Sequence, residues 1–436
     1  MNINSETSEF DYLLVGGGLQ SGLLALAIAH HHPDARVVLI ERDQNLAGNH
    51  TWSFHPGDVP ESCRRWIEPL IRYHWPGYQV RLGNFRRHVD LAYASIPSEH
   101  FARVVSRLFD TSAAVNEERF HGGAMWARQN ASLGFHAGAA PAVAEMDSAW
   151  KETDSPWKLM TGTDVIHVSE DSVTTRCGQQ IRGRLVIDCR GPAAQKARFS
   201  GSGFQKFHGF EIELEHDWPL ESPVIMESCV DQEDGFRFIY TLPFTARRVL
   251  IEDTRFSDKP DCDRQDCFDL VQKYLQSNGV DRFKIIREES GVLPMPFSSE
   301  LQPSSDSPLA GGYAGGWFHA ATGYSFPMVV AFAEAVARGP LATARHRVSE
   351  LSETHRRRSR YCRLLNRLLF RLVAPRHRHR IFRRFYRVLS EIAIERFYSH
   401  QFTAADAVRI VVGIPPTIIG LRPHRFIRSF LKGESP

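Results

Sequence analysis

Near the N-terminus the hydrophobic positions form short uninterrupted runs: Tyr12-Leu13-Leu14-Val15, then Leu23 to Ala29, then Val37-Val38-Leu39-Ile40. The first and last predict strands buried on both faces, and the longer run between them predicts a helix. From Gln205 to Leu293 the pattern changes to aromatic and aliphatic residues interleaved with polar ones. Stretches such as 207–214, 224–226, 237–242 and 248–252 predict a mostly antiparallel sheet, with a helix over Asp263 to Gln276 lying on it. Toward the C-terminus Arg360, Arg363, Arg367 and Arg371 recur at helical spacing opposite Tyr361, Leu364, Leu365, Leu368 and Leu372. The pattern repeats beyond Pro375, with Arg380, Arg383, Arg384 and Arg387 beside Ile381, Phe382, Phe385 and Leu389.

Other stretches carry weaker patterns. Tyr78-Gln79-Val80-Arg81-Leu82 alternates as a strand does, and Pro97 to Phe109 predicts an amphipathic helix entered through Ser98. Residues 110–156 show no sustained periodicity and read as an insertion. Short strands follow at 164–168 and 172–175, and Leu185-Val186-Ile187 leads into Asp188 and, shortly after, Gly191. Residues 309–337 return to the first pattern, with the glycines 311–316 ahead of a helix from Met328 to Ala337.

Between the first strand and helix stands Gly16-Gly17-Gly18, and the second strand ends in Glu41. Strand, Gly-rich turn, helix, strand, acid is the order of a Rossmann dinucleotide site. Gly16 permits the tight turn, Gly18 lets backbone approach a pyrophosphate on the helix N-terminus, and Glu41 can accept from ribose hydroxyls. Ser21 replaces the third glycine of the fingerprint, with Gly22 beside it. The terminal acid favours FAD or NAD over NADP at this position. His50 and Trp52, in the Gly- and Asn-containing loop after the second strand, are candidates for cofactor or substrate contact.

Composition narrows the classes. The 436 residues suit two or three domains, and a formal net charge of +3 implies no nucleic-acid partner. Seven scattered cysteines without a C-x-x-C pair suggest a reducing compartment rather than a disulfide framework. No secretory signal or membrane-spanning helix is expected, and no metal site, although His30-His31-His32 forms a run. The two basic amphipathic helices suggest a cytoplasmic protein attached peripherally to an anionic membrane surface, and the Pro-broken apolar run 411–419 could dip into lipid.

The stretches Leu14-Val15-Gly16-Gly17-Gly18-Leu19, Gly48-Asn49-His50-Thr51-Trp52-Ser53-Phe54, Val249-Leu250-Ile251-Glu252-Asp253-Thr254 and Phe318-His319 through Thr322-Gly323-Tyr324-Ser325-Phe326-Pro327 together resemble the bacterial lycopene β-cyclases. The resemblance runs from about Asp11 into the C-terminal region, and the 110–156 segment departs from it. It implies an α/β fold of the hydroxylase and geranylgeranyl-reductase type. A Rossmann-type FAD-binding domain would cover 8–204 and 305–345, with an inserted antiparallel β-sheet substrate domain at 205–304 and a C-terminal helical region at 346–436. It further implies FAD in its reduced form, NAD(P)H as reductant, and lycopene or related acyclic or monocyclic carotenoids as substrate. Carried over by position, Gly16, Gly18, Gly22 and Glu41 would hold the ADP half. Asp188 and Gly191 would lie near the diphosphate, and Gly316, Thr322 and Gly323 near the flavin ring.

The implied reaction sets its own chemical demand. Protonating a terminal alkene gives a tertiary cation, a neighbouring double bond closes a six-membered ring, and a proton is lost. A carboxylic acid in a dry, apolar setting keeps its proton near neutral pH. Glu252, read as the end of an apolar strand, and Asp253 are the catalytic candidates. Adjacent strand residues point to opposite faces, so only one of them can face the pocket. A flavin monooxygenase, an isoprenoid reductase on the same fold, or a prenyl-lipid carrier remain the competing readings.

Overall fold

The computed structural model describes residues 10–110, 155–191, 201–228, 230–232, 234–298 and 308–412. The expected insertion therefore lies almost wholly outside the described residues, as does most of the apolar run 411–419.

The nucleotide-type sheet forms as the sequence predicts. Strand β1 (Phe10–Val15) lies parallel to β2 (Val37–Ile40) on one side and to the carboxyl half of β11 (Gln180–Asp188) on the other. Strand β8 (Trp157–Met160) extends the sheet beyond β2, and β17 (Leu309–Ala310) adds to β11. The amino half of β11 pairs instead with the hairpin β9 (Val165–Val168) and β10 (Ser172–Thr175). Helix α1 (Leu19–His31) packs beside α5 (Phe326–Ala337), with Leu24, Ile28, Phe332 and Val336 in one buried core. Each such side chain contributes about 1.5–3 kcal/mol on burial. Gln20 fastens the two, its amide donating to the Val329 carbonyl at 3.1 Å while its oxygen accepts from the Gly312 N–H at 3.1 Å.

A three-stranded sheet of β3 (Thr51–Phe54), β7 (Tyr93–Pro97) and β4 (Tyr73–Trp75) follows the second strand of the Rossmann unit, with α2 (Glu61–Ile67) and α3 (Ser98–Ser106) at its borders. Phe109, just beyond α3, and Trp157, the first residue of β8, meet edge to face at 5.5 Å.

The second large sheet has the order β16 (Phe283–Met295), β12 (Gly203–Leu214), β15 (Arg248–Ser257), β14 (Phe236–Pro243), β13 (Val224–Glu227), β5 (Tyr78–Leu82), β6 (Phe85–Val89). All neighbours are antiparallel except β13 with β5. Two expectations change here. The sheet is not confined to 205–304, because β5 and β6, from within the expected 8–204 unit, complete its edge. Glu252 also stands in the middle of β15, since Thr254, Phe256 and Ser257 continue the pairing and the burial. Helix α4 (Arg264–Ser277) covers one face through Cys267, Val271 and Leu275, while the other face turns toward β3 and β7 and the C-terminal helices.

Those helices are α6 (Ala344–Arg367), continuing through a π-helical turn at Leu368–Leu372, then α7 (Arg378–Val388), α8 (Glu391–Tyr398) and α9 (Ala404–Val411). The break before α7 falls at Pro375 as read. The arginine stripe, expected to face an anionic membrane surface, turns substantially inward. Arg363 is 5% exposed, Arg367 donates to the Phe297 carbonyl at 2.9 Å, and Arg371 lies over the Phe297 ring. Arg384 donates to the carbonyls of Ile410 at 2.9 Å and Arg409 at 3.0 Å, where α9 ends with acceptors unmet by its own backbone. The forked guanidinium suits such clusters of carbonyls.

Candidate active site

At the carboxyl ends of β1, β11 and β17 three glycine-bearing turns converge. Gly16 has φ of +97°, and a Cβ there would stand 3.0 Å from the Cys189 carbonyl oxygen, so only glycine lets the first turn pass the end of β11. Gly18 is the N-cap of α1, no side chain caps that helix, its first turn holds no acid, and a Cβ on Gly18 would meet nothing within 4 Å. The amides at this end are therefore open to an anion. Glu41 projects into the same turn, accepting from the N–H groups of Gly17 and, at 2.8 Å, Asp43. These groups fit the adenosine diphosphate half of a dinucleotide. Gly22 does not belong with them: a Cβ there would overlap the Phe101 ring, so this glycine serves the packing of α1 on α3.

Asp188 sits beside the turn, paired in register with Val15, and its carboxylate is held by Arg190 at 2.6 Å. Gly191 is exposed next to it, with nothing within 4 Å of a would-be Cβ. Gly316 and Gly323 both have positive φ, +79° and +70°. The Gly316 carbonyl accepts from His355 at 3.1 Å, which turns this position toward α6 rather than the crevice. Thr322 lies in a tight turn on the His319 carbonyl, its own hydroxyl accepting from the Tyr324 N–H at 3.3 Å. Gly323 abuts Leu293 of β16 and Gln205 of β12, so the return loop rests directly on the second sheet.

The acids lie on that same sheet face. Leu293 and Glu289 are four residues apart on β16, as are Gln205 and Gly209 on β12, which places them on one face about 13 Å along the strands. In register, Gly209 faces Glu252 of β15 on one side and Glu289 of β16 on the other. A Cβ on Gly209 would come within 2.6 Å of Glu252 Cγ and 3.2 Å of Glu289 Cγ, so the missing side chain is the space in which the two carboxyl groups meet. Both are buried, at 8% and 4% exposure. Burial, and then the charge of Glu289, hold the Glu252 carboxyl protonated well above the usual carboxylate range, and its proton bonds to Glu289. Glu289 is anchored by two donors: Arg287 at 2.7 Å and Thr51, from β3, at 2.9 Å. Arg287 also grips Glu211, Asn49 and Thr51, tying the loop after the second Rossmann strand to the acid pair.

Around the pair the wall is aromatic. Tyr240 lies opposite Glu252 in the β14–β15 register, and its hydroxyl meets that of Tyr93 at 3.0 Å. Phe236 and Phe238 continue this face, and Phe382 of α7 stacks on Phe236 at 4.2 Å. His50 is exposed, next to Trp52 at the start of β3.

Asp253, carried as a catalytic candidate with Glu252, is on the opposite face. It is fully buried between Arg237 and Arg255, each at 2.7 Å, under α4. The alternation of side chains along β15 removes it from the cavity. Glu289 was not anticipated. It lies in a charged stretch, Arg287-Glu288-Glu289, whose local pattern is no guide to the strand; the spacing of Glu289, Gly291 and Leu293 is the signal that could have placed it on one face.

Comparisons with known proteins bear on the fold and the lineage. The sequence profile of the family described as "Lycopene cyclase protein" matches residues 11–121 and 157–421, passing over most of the expected insertion. A lycopene beta-cyclase of Pantoea ananas is 37% identical over 416 residues, covering 93% of this chain and 95% of the relative. Among solved structures, a geranylgeranyl bacteriochlorophyll reductase-like protein from Thermoplasma acidophilum superposes with a TM-score of 0.54 at 11% identity, over 94% of this chain and 97% of that one. A probable FAD-dependent monooxygenase from Pseudomonas aeruginosa gives 0.53 at 15% identity, over 85% and 98%. The last two establish the fold, the first two the lineage: this chain belongs to the lycopene cyclase family.

Proposed function

We propose that the chain converts the linear ends of lycopene, and of related acyclic or monocyclic carotenoids, to β-rings by acid-catalysed cyclisation. The observation that carries this reading is a buried Glu252, its carboxyl pushed up by burial, set against Glu289 across Gly209 on an aromatic-lined sheet face. Glu252 gives its proton to the terminal alkene, and the adjacent double bond closes the ring. Two carboxylates then face each other in a dry site, an arrangement whose repulsion favours return of a proton to Glu252 from the cyclised cation. No electrons are gained or lost, and the acid is regenerated. The ring faces of Tyr240, Tyr93 and Phe238 stabilise the positive charge meanwhile.

The Gly16–Gly18 turn and Glu41 would hold the ADP half of FAD, and the 319–323 loop would border its ring. Bound there in its reduced form, with NADPH or NADH as reductant, FAD would supply negative charge to offset the developing cation. We further assign peripheral attachment to an anionic membrane surface, where so apolar a substrate resides. Among the described residues no helix is long and apolar enough to cross a membrane. The exposed aliphatics Val388, Ile392, Val408 and Val412, with Arg387 and Arg409 among them, form the surface suited to it.

The test is Glu252→Gln, purified with FAD and supplied with lycopene in anionic vesicles under reducing conditions. Cyclised product should fall by about 10²–10⁴-fold with FAD content unchanged. Undiminished product rejects Glu252 as the acid, and oxygenated or hydrogenated product rejects cyclisation.

A further inference from the structure

Where the return loop meets the C-terminal helices, three side chains converge that the cyclisation does not use. His319 comes from the loop ahead of α5, Cys362 from near the C-terminal end of α6, and His400 from the turn after α8. All three are buried, and one ligating atom from each lies within 4.8 Å of the others. Among the described residues this is the only group of three metal-ligating side chains so placed.

Several features are costly unless something occupies the centre. His400 Nε2 is buried with no hydrogen-bond partner, and a buried polar nitrogen left unpaired costs about 1–3 kcal/mol. His400 also holds φ of +60°, a backbone conformation uncommon outside glycine, which aims its ring at His319, 5.0 Å away. His319 Nε2 faces Cys362 Sγ at 3.6 Å. For a tetrahedral ion with metal–sulfur and metal–nitrogen bonds of about 2.3 and 2.05 Å, that edge is about 3.5 Å. The other His319 nitrogen, Nδ1, is likewise buried with no hydrogen-bond partner.

We propose that His319, Cys362 and His400 bind one d10 cation of borderline-to-soft character, Zn2+ or Cu+. Burial keeps the imidazoles uncharged, with His319 pushed down to about 3, so each offers a lone pair at any physiological pH. Burial pushes the Cys362 thiol up, so the metal must displace its proton: thiol plus cation gives metal thiolate plus one released proton. The longest ligand separation closes with side-chain shifts of about 1 Å. The consequence is a cross-link between the loop carrying Thr322 and Gly323 and the helices that roof the cavity.

The test uses the full-length, FAD-loaded protein freed of metal with a chelator. Titration with Co2+ should give thiolate-to-metal charge-transfer absorption in the near ultraviolet that saturates at one equivalent and is abolished by added Zn2+. Cu+ offered under reducing conditions against a chromogenic chelator distinguishes the two ions by which is retained more tightly. Cys362→Ser and His400→Gln should lose the absorption and the rise in Tm that Zn2+ gives the parent protein. Absence of the thiolate band in the parent protein, with no Zn2+ or Cu+ retained after desalting, overturns the proposal. So does full retention of metal by Cys362→Ser. The parent titration decides the matter even if a variant fails to fold.

Discussion

Between Glu252 and Asp253 the chain passes a carboxyl group from one face of the sheet to the other, and the two meet opposite electrostatics. Asp253 finds two guanidinium groups; Glu252 finds another acid and no direct cation. The sign of the resulting pH dependence follows. A carboxyl whose folded pKa exceeds its ordinary 4.5 contributes stability that is complete below 4.5 and lost as pH rises through the folded value. Glu252→Gln should therefore gain stability on the parent protein with rising pH, read as the difference in Tm between pH 5 and pH 8. Cyclisation by the parent should decline over the same rise, as the proton to be delivered is lost. Gly209→Ala tests the gap itself: the added methyl should cost about 1–3 kcal/mol by denaturant titration and depress turnover by separating the two acids. Of this site, Glu252 was legible because it directly follows the apolar run Val249-Leu250-Ile251. Glu289 and Gly209 were not, because their roles exist only in the register of three strands distant in sequence.

At the scale of elements, the Rossmann unit was readable because local pattern suffices for it: buried runs, a turn that only glycine can make at Gly16, and an acid at the strand's end. The sheet carrying the acids was readable as strands but not in extent. The alternation in Tyr78–Leu82 says strand and is silent on its partner, which proves to be β13. Periodicity also misled over the arginines. Spacing shows that Arg363, Arg367 and Arg371 share a helix face, but not that Phe297 and neighbouring carbonyls wait opposite them. Membrane attachment is therefore tested at the exposed residues of α7, α8 and α9. Replacing Arg387 with Gln and Ile392, Val408 and Val412 with Ser should reduce co-sedimentation with anionic vesicles at least several-fold and leave Tm nearly unchanged. Unaltered sedimentation would show that another surface makes the attachment.

Over the whole molecule, several described contacts tie the Rossmann unit, the second sheet and the C-terminal helices together around the proposed site. Arg287 and Thr51 couple the loop after β2 to the acid pair, Gly323 seats the return loop on β12 and β16, and α7 closes the aromatic wall through Phe382. Such joints are products of tertiary packing, which is why no single stretch of sequence announces them. One more joint, the edge-to-face pair of Phe109 and Trp157, has a bearing on engineering. The two rings, 5.5 Å apart, hold the flanks of residues 111–154 together, so a short connector is long enough to join them. Bridging residues 115–152 with a short Gly-Ser connector should leave Tm and cyclisation within about twofold of the parent, since the entropy of closing a loop grows only slowly with its size. Flanks clasped so closely are also a port into which a reporter or a partner enzyme can be grafted.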